Sequence, residues 1–118
     1  MKKYFKDFSN KNYKGLEELF ADNVLLIDWD NNIKGKKKVL NFNKILLSKN
    51  KIKVRLEEIF YSATGSAASC KIIVSVGKKK LNVIDVIYFN KKMKIYKILA
   101  YLRWKKYGNQ TLFGYRCL

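Results

Sequence analysis

Along the first third of the chain the spacing of apolar residues is helical, then extended, then helical again. Tyr4, Phe5 and Phe8 gather on one side of a helix predicted over residues 2–9, and Asn10-Lys11-Asn12 breaks it. Asn12 is placed to cap a second helix over 13–21, since its short side chain can accept a free N–H of the first turn. Leu16, Leu19 and Phe20 follow at i, i+3 and i+4, the spacing of a buried stripe. Ala21-Asp22-Asn23 reads as a turn, and the branched and aromatic run Val24-Leu25-Leu26-Ile27-Asp28-Trp29 as a strand. After the turn residues Asp30-Asn31-Asn32, Gly35 precedes a third helix over about 36–48, whose apolar face holds Val39, Phe42, Ile45 and Leu46.

From residue 52 onward the period is two. Strands are predicted over 52–61, 67–76, 81–89 and 95–104, separated by Ala63-Thr64-Gly65-Ser66, Gly77-Lys78 and Asn90-Lys91-Lys92. Turns this short between long strands imply an antiparallel meander, which twists and curls over the helices. The order of elements is that of an α+β domain.

Composition narrows the picture. The 118 residues, 48% of them hydrophobic, suit one domain with a real core; the reading is a core over about 3–104 and a C-terminal tail, 105–118. No apolar run is long enough to span a membrane. The start, Met1-Lys2-Lys3-Tyr4-Phe5-Lys6-Asp7, lacks the apolar stretch of a secretory signal, so a cytoplasmic location is expected. Without histidine, and with only Cys70 and Cys117, the chain has no metal-ligand spacing; neither a metal nor a cofactor is expected.

The formal charge of +17 raises the question of a polyanionic partner. Of the 26 basic residues only Arg55, Arg103 and Arg116 are arginine, the better fork for phosphates and base edges. The lysines fall in scattered clusters at 36–38, 78–80, 91–94 and 105–106, mostly at turns. That distribution favours a solvated basic surface over a specific nucleic-acid site, although weak attraction to polyanions follows from the charge itself.

Three acids interrupt apolar faces. In the strand 81–89 one face carries Leu81, Val83, Asp85, Ile87 and Phe89, so Asp85 stands in the middle of an apolar row. A carboxyl there must be paired, hydrogen-bonded or protonated. Lys71 or Lys97 on neighbouring strands would make it a structural ion pair; without them it is a cavity group. Asp28 shares a face with Val24 and Leu26, and equally well begins the following turn. Glu58 falls on the face of Ile52, Val54, Leu56 and Phe60, and is read as a solvated charge, with a bulge able to turn it outward.

Several stretches together resemble the nuclear transport factor 2-like superfamily, which includes SnoaL-like and ketosteroid isomerase-like domains. They are Leu19-Phe20-Ala21-Asp22-Asn23 running into Leu26-Ile27-Asp28, Gly35 before the third helix, Val83-Ile84-Asp85-Val86-Ile87-Tyr88-Phe89-Asn90, and Lys94-Ile95. The resemblance implies a cone-shaped, curved antiparallel sheet packed around three N-terminal helices and enclosing a pocket, with Leu26, Trp29, Phe42, Val83 and Ile87 as lining. It also implies a homodimer through the outer sheet face. By similarity to ketosteroid isomerase, Asp28 matches the general base, and Tyr4 and a protonated Asp85 match the oxyanion donors. Proton transfer next to a carbonyl would follow, on a small apolar or carbonyl-containing molecule. A non-catalytic ligand-binding domain of this fold ranks ahead of that enzyme, and both rank ahead of a basic nucleic-acid-associated protein.

Overall fold

Helix α1 (Lys2–Ser9) and helix α2 (Tyr13–Leu19) form a tight corner that plugs one end of the core. Asn12 does cap α2: its Oδ1 accepts from the Gly15 N–H at 3.1 Å. The same side chain donates through Nδ2 to Asp7, which also meets Lys3 at 2.6 Å. Tyr4 and Phe5 turn inward from α1 into the core, with the Tyr4 and Phe20 rings 6.1 Å apart.

A computed structural model describes residues 1–103; the tail 105–118, with Cys117, and Trp104 at the end of the last expected strand lie outside the described residues. After α2 come β1 (Phe20–Ile27), β2 (Asn32–Lys34), α3 (Lys36–Lys49), β3 (Ile52–Tyr61), β4 (Ala67–Val76), β5 (Lys79–Phe89) and β6 (Ile95–Arg103). The strands form one curved, unclosed six-stranded sheet in the order β2-β1-β6-β5-β4-β3. No described helix is long and apolar enough to cross a membrane.

The architecture is α+β, as the element order predicts, and matches the cone that the resemblance implies, with three differences of detail. The sheet is mixed: β3 to β6 make an antiparallel meander, but β1 pairs with β6 in parallel. The second helix stops at Leu19 and the expected turn Ala21-Asp22-Asn23 is strand, because Phe20 is already extended, registers with Ile95, and opens β1. Part of the expected turn after Asp28 is strand, since the chain reverses at once and Ile33 pairs back onto Leu26 as β2. Gly35 then enters α3 at φ 101°, a conformation suited to glycine, while its N–H donates to the Val24 carbonyl at 2.7 Å.

The concave face carries the core. Leu26, Ile98, Ile87, Ala68 and Ile72 face α1 and α3 across it, and Phe20, Leu16, Val24 and Val39 close the packing. Strand β3 is an edge, and α1 guards it: the Val54 N–H donates to Ser9 Oγ at 3.1 Å. A bulge between Leu56 and Glu58 reverses the facing of β3. Before it Val54 and Leu56 face inward; after it Ile59 does, paired with Cys70, while Glu58 and Phe60 turn out to solvent.

Candidate functional site

Between the concave face, α1 and α3 lies a cavity of about 290 Å³. Helix α1 contributes Tyr4, Phe5 and Phe8; α3 contributes Phe42 and Leu46; the β1–β2 loop contributes Asp28 to Asn31. The remaining wall is the inner row of the sheet: Ile52 and Val54 on β3, Ile72, Val74 and Val76 on β4, Leu81, Val83 and Asp85 on β5, Ala100 on β6. Strand alternation explains why these residues share a wall, because cross-strand partners face the same side. Val83 pairs with Ile72, Leu81 with Val74, and Asp85 with both Cys70 and Ala100.

Asp85 is 8% exposed. Among the described residues no basic group forms an ion pair with it. The two lysines on the neighbouring strands are engaged on the other face: Lys71 lies 4.0 Å from Glu58, and Lys97 stands 4.3 Å from the Tyr88 ring centre. Burial pushes the Asp85 carboxyl up to about 7, and the nearby Asp28 charge adds to the effect. Near neutral pH the group is therefore present in both its acid and its ionised form.

Tyr4 is 6% exposed and its ring packs edge-on against Phe5 at 5.0 Å. Burial first, and then the charges of Asp85 and Cys70, push its hydroxyl well above the usual phenol range, so it stays a neutral donor. Burial, followed by Asp85, pushes the Cys70 thiol up to about 11, which leaves it a small apolar core residue beside Asp85 on the neighbouring strand.

Asp28 is half-buried and occupied by its own loop. Its Oδ1 accepts from the N–H of Asp30 at 2.8 Å and of Asn31 at 2.7 Å, and from Asn31 Nδ2 at 3.0 Å. Oδ2 takes a single, longer contact from Asn31 Nδ2, 3.2 Å. These bonds make the tight reversal into β2, and they also hold the carboxylate rigidly at the cavity wall.

The structure thus brings Tyr4, Asp28 and Asp85 to one cavity, along with Trp29, Phe42 and Val83. Leu26 and Ile87 sit in the core instead of the lining. Trp29, 46% exposed, stands at the mouth and does not fill the space. Most of the apolar wall from β3 and β4 was not singled out from sequence. Alternation from Ile72 and Ile52 would have found it, given the register that places those strands beside Val83. Asn43 was not anticipated as buried either: it sits on α3 between Val39 and Leu47, and its Nδ2 finds no partner among the described residues.

Comparison with known proteins supports the fold. No protein-family model matches the chain, and no curated protein sequence is similar to it. Solved structures do match. A Kribbella flavida protein provisionally described as a ketosteroid isomerase superposes with a TM-score of 0.79 at 13% identity, over 99% of this chain and 83% of that one. A Mycobacterium tuberculosis protein solved in complex with estradiol-17beta-hemisuccinate gives 0.75 at 18% identity, over 88% and 89% of the two chains. An NTF2-like protein of unknown function from Cytophaga hutchinsonii gives 0.74 at 13% identity, over 85% and 83%.

Proposed function

The chain has the NTF2-like fold, and on that scaffold we propose a small-molecule-binding domain. Its ligand is mostly apolar and bears a hydrogen-bond acceptor, such as a carbonyl, at one end. The observation that carries this reading is the carboxyl of Asp85 in an apolar wall, without an ion-pair partner among the described residues. A buried acid with no partner is costly, and it becomes useful when a ligand oxygen accepts its proton in a hydrogen bond. Tyr4 offers a second hydroxyl to the same cavity. The Mycobacterium tuberculosis neighbour, solved with a steroid ester, supports a ligand of that size class.

Titration with a neutral ketosteroid such as progesterone tests the reading. Affinity is expected to fall as pH rises through about 7, where Asp85 loses its proton. Asp85→Asn, which keeps a donor, should bind without that pH dependence, whereas Asp85→Leu should lose about tenfold, the value of one buried hydrogen bond. Equal affinity in wild type and Asp85→Leu would sink the proposal.

A second reading, proton transfer next to a carbonyl, is favoured by one fact: Asp28, Tyr4 and Asp85 share the cavity. Asp28 would take the proton through Oδ2, the less engaged oxygen, while Tyr4 and neutral Asp85 would hold the developing enolate. Asp28→Asn should then abolish isomerisation of an unsaturated ketosteroid and leave binding nearly intact. Absence of turnover in the wild type retires this reading and leaves the first standing.

The reading includes a cytoplasmic homodimer. The outer sheet face supports the dimer, with Leu25, Ile27, Leu99 and the exposed Tyr101 adjacent across β1 and β6. A single monomeric species in sedimentation at micromolar concentration would refute it.

A further inference from the structure

At the end of the sheet where the cavity opens, Ile52 pairs with Val76, and Val76 pairs with Lys79. These three residues form one row on the concave face. Ile52 and Val76 line the cavity, and so does Leu81, two residues along β5 on the same face as Lys79. Inward-facing positions of β5 therefore run Lys79, Leu81, Val83, Asp85: an exposed ammonium at the rim, two apolar wall residues, then the buried carboxyl. Six residues of strand place the two end Cα atoms about 20 Å apart, and the flexible lysine stem can reach back over the opening.

Other cations stand at the same end. The Gly77 N–H donates to the Lys51 carbonyl at 3.1 Å, which ties the β4–β5 turn to the start of β3. Lys51 and Lys78 are exposed there, and so are Lys53 and Lys80, which both pair with Ser75 and face the convex side; none forms an ion pair with a carboxylate among the described residues. The sequence has no Asp or Glu at 31–56 or 59–84. Asp28 and Asp30 do reach the cavity, but from the β1 loop, and β1 is separated from β5 by β6. That is about 10 Å of sheet. The mouth is polarised, with carboxylates on the β1 side and ammonium groups on the β3–β5 side.

Resting on the cavity as a ligand site, we infer that its ligand is an anionic amphiphile, with an apolar body between the sheet and α1 and a carboxylate, sulfonate or phosphate held at the rim by Lys79. Lys51 is the second cation. The overall positive charge draws such a molecule to the surface, and the polarised rim orients it, acid outward and the far end, with its hydrogen-bond acceptor, toward Asp85. The long-range attraction is sequence-blind and salt-sensitive; the orientation depends on Lys79.

A matched pair of fluorescent probes tests this: anilinonaphthalene sulfonate and phenylnaphthylamine, which share an aromatic body and differ in the sulfonate. The sulfonate is expected to bind about fivefold more tightly at low ionic strength, the size of a partly exposed ion pair, and salt should erase the preference. Lys79→Gln with Lys51→Gln should remove it, and Lys79→Glu should invert it. Lys91→Gln with Lys92→Gln removes the same charge at the opposite end of β5 and should leave the preference unchanged. Equal binding of both probes, or equal loss with the Lys91 and Lys92 pair, overturns the inference while the cavity reading survives. Binding of neither probe overturns both.

Discussion

Asp7 and Asp85 are both buried, at 5% and 8% exposure, and the protein treats them in opposite ways. Asp7 sits in the corner between α1 and α2, where its carboxylate meets Lys3 at 2.6 Å and Asn12 at 3.1 Å. The Lys3 hydrogen bond holds it below the usual carboxylate range, against the upward pull of burial. Asp85 has the burial without a partner among the described residues, and burial raises it. Burial alone therefore does not mark a functional carboxyl. A carboxyl that lines a cavity and has no partner among the described residues is the better candidate, because its hydrogen bond is available to a ligand.

The sharpest way to break this comparison is stability against pH. An acid whose folded pKa lies above its unfolded value binds its proton more tightly when folded. The contribution of Asp85 is complete below 3.8 and is lost as pH rises to about 7. At roughly 1.4 kcal/mol per pH unit, the loss reaches up to about 4 kcal/mol. Urea unfolding of Asp85→Asn should show that fall flattened; a slope equal to wild type would mean Asp85 has a partner after all. Asp7 has the opposite sign: its pKa is lowered, so its contribution is present above 3.8 and is lost as pH falls.

A smaller effect probes the corner itself. A Cβ at Gly15 would come within 2.6 Å of both Asn12 Nδ2 and Asp7 Oδ2, so Gly15→Ala must open the clasp. A loss of about 2 kcal/mol is expected, for a strained and partly broken buried network. In an Asp7→Ser background the penalty should shrink, since the obstructing carboxylate is gone, and a double-mutant cycle reads that coupling. An additive cycle would show the clasp to be irrelevant.

The smallest effect is Asp7→Asn, expected to cost about 1 kcal/mol at neutral pH. Lys3 is 59% exposed, so water and salt screen much of the pair. Thermal melts with and without salt should show the cost shrinking as salt is added. A cost above that of Gly15→Ala would mean that the ion pair, and not the packing of the corner, holds α1 in place.

How far each acid could be read in advance differs, and the reasons are physical. The inward facing of Asp85 followed from alternation along an unbroken strand, which local geometry dictates. The outward facing of Glu58 did not follow from alternation, because a one-residue bulge after Leu56 reverses the parity of β3. Asp7 drew no attention in a charged N-terminal stretch, although its spacing from Lys3 is that of a helical ion pair. Asp28 had two readings, turn former and cavity acid, and the structure gives it both positions at once.

Apolar spacing and turn residues determined which segments are helices or strands, their order, and which side of β5 meets the core, because those properties depend on neighbours a few residues away. Only the tertiary structure decided that β1 runs parallel to β6, that Lys71 and Lys97 point away from Asp85, and that α1 and α3 leave a space above the concave face. Whether an acid is clasped or left alone depends on groups that distant segments bring to it. No local pattern encodes that encounter.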